Sequence, residues 1–294
     1  MLEKYTLKQL RTDFPDDQAC FDWLVNHLYP EGFECPKCGK SPHHKINGRR
    51  AFACGKCGHH VYPLAGTIFA HSRLPLVDWF HAIYMMSSNK AGTSAAQIQR
   101  ELGVTYKAAW RMMHQIRSMM VDETPFEGEV EIDETFVHAN VFKRSSAKST
   151  YGPTGNRKGQ VLVGITERGG RARVWHVQSA GARIVQPLIR NNVKQGTLIH
   201  SDGYLAYRKL PTMGYEHRWT DHSKLEFYTE HSSTQNIENL WSHIKRGIKG
   251  VYRHVNAAYL QLYANEFAWR YSKRKKGALF FELLRCTRVS LQPS

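Results

Sequence analysis

The sequence predicts an α/β protein: a mixed sheet flanked by helices, preceded by a small metal-held module and then a helical one. Three observations carry that expectation. Two Cys-x-x-Cys pairs, Cys35/Cys38 and Cys54/Cys57, stand in a stretch poor in aliphatic residues. Apolar residues then recur at helical spacing from Trp79 to Ile116. After Thr124-Pro125 the period drops to two, and it returns to helical spacing near Ile237.

The bulk numbers set the frame. A chain of 294 residues suits one catalytic-sized domain plus one or two small modules. With 41% hydrophobic and 22% charged residues there is no compositional ground for global disorder. The 41 Lys and Arg against 25 Asp and Glu leave a formal charge of +16, which points to a polyanionic partner, whether nucleic acid, ribosome or membrane surface. No apolar run approaches the roughly 20 residues that span a bilayer, and the opening residues lack a signal-like apolar segment. A cytoplasmic protein is expected, with no membrane partner.

Taken in order, residues 1–30 read as a leading helical segment, with Phe14, Cys20, Phe21, Leu24, Val25 and Leu28 at helical spacing behind the caps Asp16 and Asp17. Residues 31–70 form the cysteine-bearing module. In a reducing compartment such pairs read as metal ligands, not disulfides. The 15 residues between Cys38 and Cys54 fit a four-thiolate zinc ribbon, each knuckle closing on Gly39 or Gly58. Four sulfurs leave no open coordination position, so the single zinc is structural, and its binding energy, on the order of 10 kcal/mol, is folding energy. His43, His44, His59 and His60 read as solvated loop histidines.

Residues 71–124 fit three helices. The last two, Ile98 to Leu102 and Tyr106 onward, flank Gly103 and carry Thr105 as an N-cap, which is the layout of a helix-turn-helix or of a plain helical hairpin. In the first case the second helix presents Tyr106, Lys107, Arg111, His114 and Arg117 to a DNA groove, with Ala109, Trp110 and Met113 inward.

Residues 125–275 form the largest region. Strands are expected over 129–137, 160–166, 171–177 and 197–200, with a turn at Arg168-Gly169-Gly170 and a mobile basic loop from Lys143 to Gly159. Helices follow around Ile237 to Ile248 and Ala257 to Tyr271, and residues 276–294 read as a tail. Asp133 lies inside the first strand, where an acid is costly to bury without a cation. Asp202 ends another strand before Gly203. Glu238 shares a helical face with Trp241 and Lys245, unlike Asn236, and as a carboxylate is the better hard-cation ligand.

Three such acids are what two Mg²⁺ (or Mn²⁺) ions need to activate a water or a 3′-hydroxyl and stabilise the leaving oxygen of a phosphodiester displacement. Lys245 is then placed to contact the DNA backbone near the reacting phosphate, and Arg246 adds a further DNA contact. Glu131, Glu134, Asp221, Glu226, Glu230 and His231 compete for the role, and most of them should be surface charges.

The chain resembles a known family: bacterial insertion-sequence transposases that join an N-terminal zinc ribbon to a DDE catalytic domain, the ISXO-like group. The resemblance runs almost end to end. It rests on the four cysteines, on Ser94 through Val104, on Ile132-Asp133-Glu134-Thr135, on His200-Ser201-Asp202-Gly203-Tyr204, and on Asn236-Ile237-Glu238 through Lys245-Arg246. It implies an RNase H-like fold whose sheet carries Asp133 and Asp202 and whose later helix carries Glu238. The 35 residues between Asp202 and Glu238 are similar to the spacing in retroviral integrases. It further implies binding of terminal inverted repeats, cleavage and strand transfer into target DNA, a homo-oligomer that holds paired ends, and a nucleoid-associated location. A zinc-ribbon DNA-binding regulator without catalysis, and an RNase H-like nuclease or resolvase, are the competing readings.

Overall fold

A computed structural model describes residues 5–40, 42–137, 159–220, 234–253 and 255–287. Residues 143–158 of the expected basic loop, and Asp221, Glu226, Glu230 and His231, lie outside them. The chain divides into two compact units, Met1–Met119 with Lys276–Ser294, and Met120–Lys275.

The first unit opens with helices α1 (Leu7–Asp13) and α2 (Asp17–Leu28), started by capping bonds from Thr6 and Asp16. Three short antiparallel strands follow, β1 (His43–Lys45), β2 (Phe52–Cys54) and β3 (His60–Val61). Helices α3 (Leu76–Ser88), α4 (Ala95–Leu102) and α5 (Tyr106–Ser118) complete the N-terminal stretch. Ser94 caps α4 and Thr105 caps α5, while Gly103, at φ +66°, takes the left-handed conformation that ends α4 and turns the chain.

The second unit holds β4 (Glu129–Val137), β5 (Gln160–Glu167), β6 (Ala172–Val177), α6 (Ala182–Asn192), β7 (Leu198–Asp202), β8 (Glu216–Thr220), α7 (Gln235–Gly247) and α8 (Leu260–Ser272). Its five strands lie in the order β6-β5-β4-β7-β8. The pairs β4–β5 and β5–β6 are antiparallel, while β4–β7 and β7–β8 are parallel. A three-strand meander extended from its first strand by two parallel strands is the RNase H-like arrangement.

Alternation along the strands gives each face its own core. Val130, Ile132, Val163, Ile165 and Ile199 pack against Val185 and Ile189 of α6. On the other face Val137, Leu162 and Val174 pack against Ile237, Leu240, Trp241 and Ile244 of α7 and against Leu260, Tyr263 and Phe267 of α8. Helices α7 and α8 approach closely because Gly247 lacks a Cβ; one built there would fall 1.9 Å from Cζ of Phe267.

The C-terminal stretch departs from the expected tail. Helix α9 (Leu279–Leu284) buries Phe280, Leu283 and Leu284 in the first unit. Phe280 stacks on Tyr5 at 5.2 Å and meets Phe14 and Phe80. The basic run at Lys273–Lys276 hides this apolar pattern, and at 6 residues the helix is too short for periodicity to reveal. No helix among the described residues is long and apolar enough to cross a membrane.

Candidate active site and zinc centre

The four cysteines converge in the first unit. Their sulfurs all lie within 4.8 Å of one another, with Cys35–Cys57 and Cys38–Cys54 both at 3.6 Å. A tetrahedron with zinc–sulfur bonds of about 2.3 Å has edges of about 3.8 Å, so the set is shaped for one ion and needs little adjustment. Each knuckle closes as its glycine donates back to the first cysteine carbonyl, Gly39 to Cys35 at 2.8 Å and Gly58 to Cys54 at 2.9 Å. Both glycines sit at positive φ, +64° and +69°. Backbone N–H groups of Cys57 and Lys56 lower the Cys54 thiol to about 6, whereas burial and its sulfur neighbours push Cys38 up to about 12. The neighbouring histidines are not members of this group. Together with the ribbon match given below, the geometry supports a structural zinc.

Helix α5 divides the expected DNA-contacting residues. Tyr106 and Lys107 at its N-terminus and Arg111 one turn further on are exposed. His114 and Arg117 are not: they are 8% and 1% exposed, which corrects the expectation that they face a groove. Arg117 follows Met113 by one turn, so helical spacing itself puts it on the buried face with Ala109, Met113 and Ile116. His114 is held against Trp110, stacked at 3.8 Å with Nδ1 at 2.9 Å from the Trp110 carbonyl.

In the second unit the parallel register pairs Glu131 with His200, so Asp133 and Asp202, each two residues further on, fall side by side beyond the last paired position. Both point to the face covered by α7, as the alternation that buries Glu131 requires. Across β5, Asp133 opposes Gly164, and the bare backbone there admits the Trp241 ring. Trp241 Nε1–H then donates to Asp133 Oδ2 at 2.8 Å. That bond ties the first acid to the helix that carries Glu238.

Burial raises the Asp133 carboxyl to about 6, against the Trp241 hydrogen bond that lowers it, and the charges of Asp202 and Glu238 push it further up. Asp202 and Glu238 are therefore each near enough to act on Asp133. Among the described residues the three acids do not form a set as tight as the cysteines. Glu238 is exposed in the first turn of α7 and accepts from Thr234 Oγ1 at 3.0 Å; Asp202 Oδ1 accepts from the Tyr204 amide at 3.1 Å.

Glu134, on the opposite face of β4, is raised to about 7 by burial and by the charges of Asp202 and Asp133, against the Tyr207 hydrogen bond that lowers it. Its Oε2 accepts from the buried Tyr207 hydroxyl at 2.6 Å. Among the described residues no cation pairs with Asp133, Glu134, Asp202 or Glu238, whereas the nearby Glu129 is paired with Arg168 at 2.9 Å. Repelling carboxylates with no cationic partner, offering only hard oxygen donors, fit Mg²⁺ or Mn²⁺. Lys245 and Arg246 are exposed near the end of α7, with Lys245 one turn past Trp241.

Sequence reasoning missed the groups that hold these acids. Glu131 is wholly buried, not a surface charge, and Asn236 donates to it at 2.8 Å. The available signal was the two-residue spacing of Glu131 and Asp133, which puts both on one face of a strand.

Comparison with known proteins identifies the family of both units. The model of the ISXO2-like transposase domain matches residues 125–272, and that of a transposase zinc-ribbon domain matches residues 15–60. A protein in transposable element ISH50 of Halobacterium salinarum is 26% identical over 210 residues, 67% of this chain and 71% of that one. A transposase-like protein of Haemophilus influenzae is 29% identical over 99 residues, 34% of this chain and 76% of that one. Among solved structures, the Mos1 strand transfer complex gives 13% identity and a TM-score of 0.26, covering 73% of this chain and 78% of that one. The Mos1 paired-end complex with left transposon end has the same identity and score over 96% and 97%. Those scores are too low to align a site. The family models do better: one spans the sheet-bearing unit and the other the cysteine module, and on that match this insertion-sequence transposase belongs to the ISXO2-like transposase family.

Proposed function

We propose that the chain binds the terminal inverted repeats of its element and catalyses metal-dependent cleavage and strand transfer of DNA, with Asp133, Asp202 and Glu238 as metal ligands. One observation supports the reading: Asp133 in the middle of β4 lies beside Asp202 at the end of β7 and is tied through Trp241 to the helix that carries Glu238, with no cation paired to the three acids among the described residues. Bound divalent ions supply Lewis-acid activation of the attacking oxygen and stabilise the leaving one. Trp241 holds Asp133 in orientation, and Lys245 and Arg246 bind phosphate on the same helix.

The zinc ribbon and α4–α5 supply end recognition. Tyr106 and Lys107 lie at the N-terminal end of the second helix, the part of a helix-turn-helix that meets base edges, and Arg111 follows Lys107 by one turn. Two ends must be held for concerted transfer, so the working form is a homo-oligomer, cytoplasmic and associated with the nucleoid.

The test is Mg²⁺-dependent cleavage of end-containing DNA by the zinc-loaded chain and by Asp133→Ala, Asp202→Ala and Glu238→Ala. Each variant should lose cleavage and transfer while still retarding end DNA. Retained transfer removes that residue from the site, and a wild type that binds ends but never cuts makes the protein a regulator.

A further inference from the structure

Glu131 is 0% exposed, so neither a hydrated ion nor a phosphate reaches it, and the proposed chemistry leaves it without a task. Its two oxygens are both used. Oε1 accepts from Asn236 Nδ2 at 2.8 Å and Oε2 from the Ile237 backbone N–H at 3.0 Å. These donors open α7, whose own N-cap, Thr234, makes no side-chain capping bond. The sheet thus supplies the acceptor that a helix N-terminus otherwise takes from its cap residue. Tyr271 of α8 donates to the Asn236 carbonyl at 3.1 Å and fixes the same turn from the other side.

The placement bears on the acids. Asp133 stands two residues after Glu131 on the same face of β4, and Glu238 directly follows Ile237. Glu131 and Asn236 therefore form a direct polar link between the strand that carries the first acid and the first turn of the helix that carries the third. We propose that Glu131 and Asn236 are a positioning pair that sets the separation of Asp133 and Glu238 for metal binding, and that Asn236 is not itself a ligand. This rests on the carboxylate-site reading above, and the measurement below separates the two.

The measurement is Mn²⁺ binding to the full, zinc-loaded chain, read by electron paramagnetic resonance, with the calorimetric transition of the second unit as the control for folding. Asp133→Ala identifies the binding that belongs to the carboxylate site. Asn236→Asp sets two carboxylates against each other and should weaken that binding by about tenfold to a hundredfold, and Asn236→Ala by less, as loss of outer-shell support does. The isosteric exchange Glu131→Gln with Asn236→Asp restores the hydrogen bond in reverse, since the new amide on β4 donates to the new carboxylate on α7 while its oxygen still accepts from the Ile237 N–H, and it gives up only the looser 3.7 Å ion pair of Arg168 with Glu131. This double variant should recover to within about threefold of wild type.

A ligand at position 236 behaves in the opposite way, because a carboxylate there is the better donor. Asn236→Asp binding Mn²⁺ as well as or better than wild type, or a double variant no better than Asn236→Asp alone, overturns the pair. Mn²⁺ binding that ignores Asp133→Ala overturns the carboxylate site itself, and the pair's role with it.

Discussion

Gly164→Ala is a one-methyl perturbation aimed at the Trp241–Asp133 contact. The new Cβ would lie 2.6 Å from Cη2 and 2.9 Å from Cζ2 of Trp241, and 3.2 Å from Cδ1 of Ile237. Restoring ordinary contact needs a shift of about 1 Å in a ring packed in the α7 core. Overpacking of this kind costs about 1–3 kcal/mol, and loss of the indole bond to a carboxylate adds about 1.5–3 kcal/mol. At about 2–4 °C per kcal/mol for a unit of this size, the summed cost of about 2.5–6 kcal/mol should lower the thermal transition of the second unit by about 5–24 °C. Cleavage should fall with it, because Asp133 loses its orienting donor. Scanning calorimetry and single-turnover cleavage read the two effects, and Gly250→Ala is the control, since a Cβ there meets nothing within 4 Å. A Gly164→Ala protein that melts and cuts like wild type refutes the account of how Asp133 is held.

Gly247→Ala puts a Cβ 1.9 Å from Cζ and 2.4 Å from Cε1 of Phe267, and should cost about 3 kcal/mol or more in urea denaturation. Adding Phe267→Ala should relieve part of the clash; a double variant weaker than the sum of the single ones argues against it. Stripping the metal, or Cys54→Ser, should release one zinc per four-cysteine set and unfold the ribbon, while the calorimetric transition of the second unit stays in place; metal analysis that finds no zinc removes the ribbon assignment. Lys107→Ala and Arg111→Ala should each reduce the slope of log K against log salt for end DNA by about 0.9 if each side chain meets a phosphate. Arg117→Ala should leave that slope alone and lower stability instead, and a slope change there means that the helix binds through another face.

Strands β4 to β7 were legible because strands buried on both faces read as short apolar, β-branched runs bounded by turn signals, as Val161 to Ile165 does before Arg168-Gly169-Gly170. The register that aligns Asp133 with Asp202 was not, since it depends on a crossover through α6, and Pro187 interrupts the helical pattern there. Strand β8 was hidden by its polar text, Glu216-His217-Arg218, which an edge strand tolerates because only one neighbour pairs with it. The acids themselves could be chosen by chemistry and spacing. Their supports could not: Trp241 entered only as a neighbour on the helical face of Glu238 and Glu131 as one of the competing acids, and only the glycine opposite Asp133 explains why an indole reaches a carboxylate. His114 and Arg117 failed differently, because residue type was weighed above helical position.

Helix α9 means that the first unit is assembled from both ends of the polypeptide. Phe280, Leu283 and Leu284 close a core whose other walls, Phe14 and Phe80, leave the ribosome about 200 residues or more earlier. The sheet-bearing unit is contiguous and is finished before α9 is made. During synthesis, then, the sheet-bearing unit has all its parts while the cysteine-bearing unit still has a hole in its centre. A ribosome that stops near residue 275 would leave a whole sheet unit and an unclosed partner.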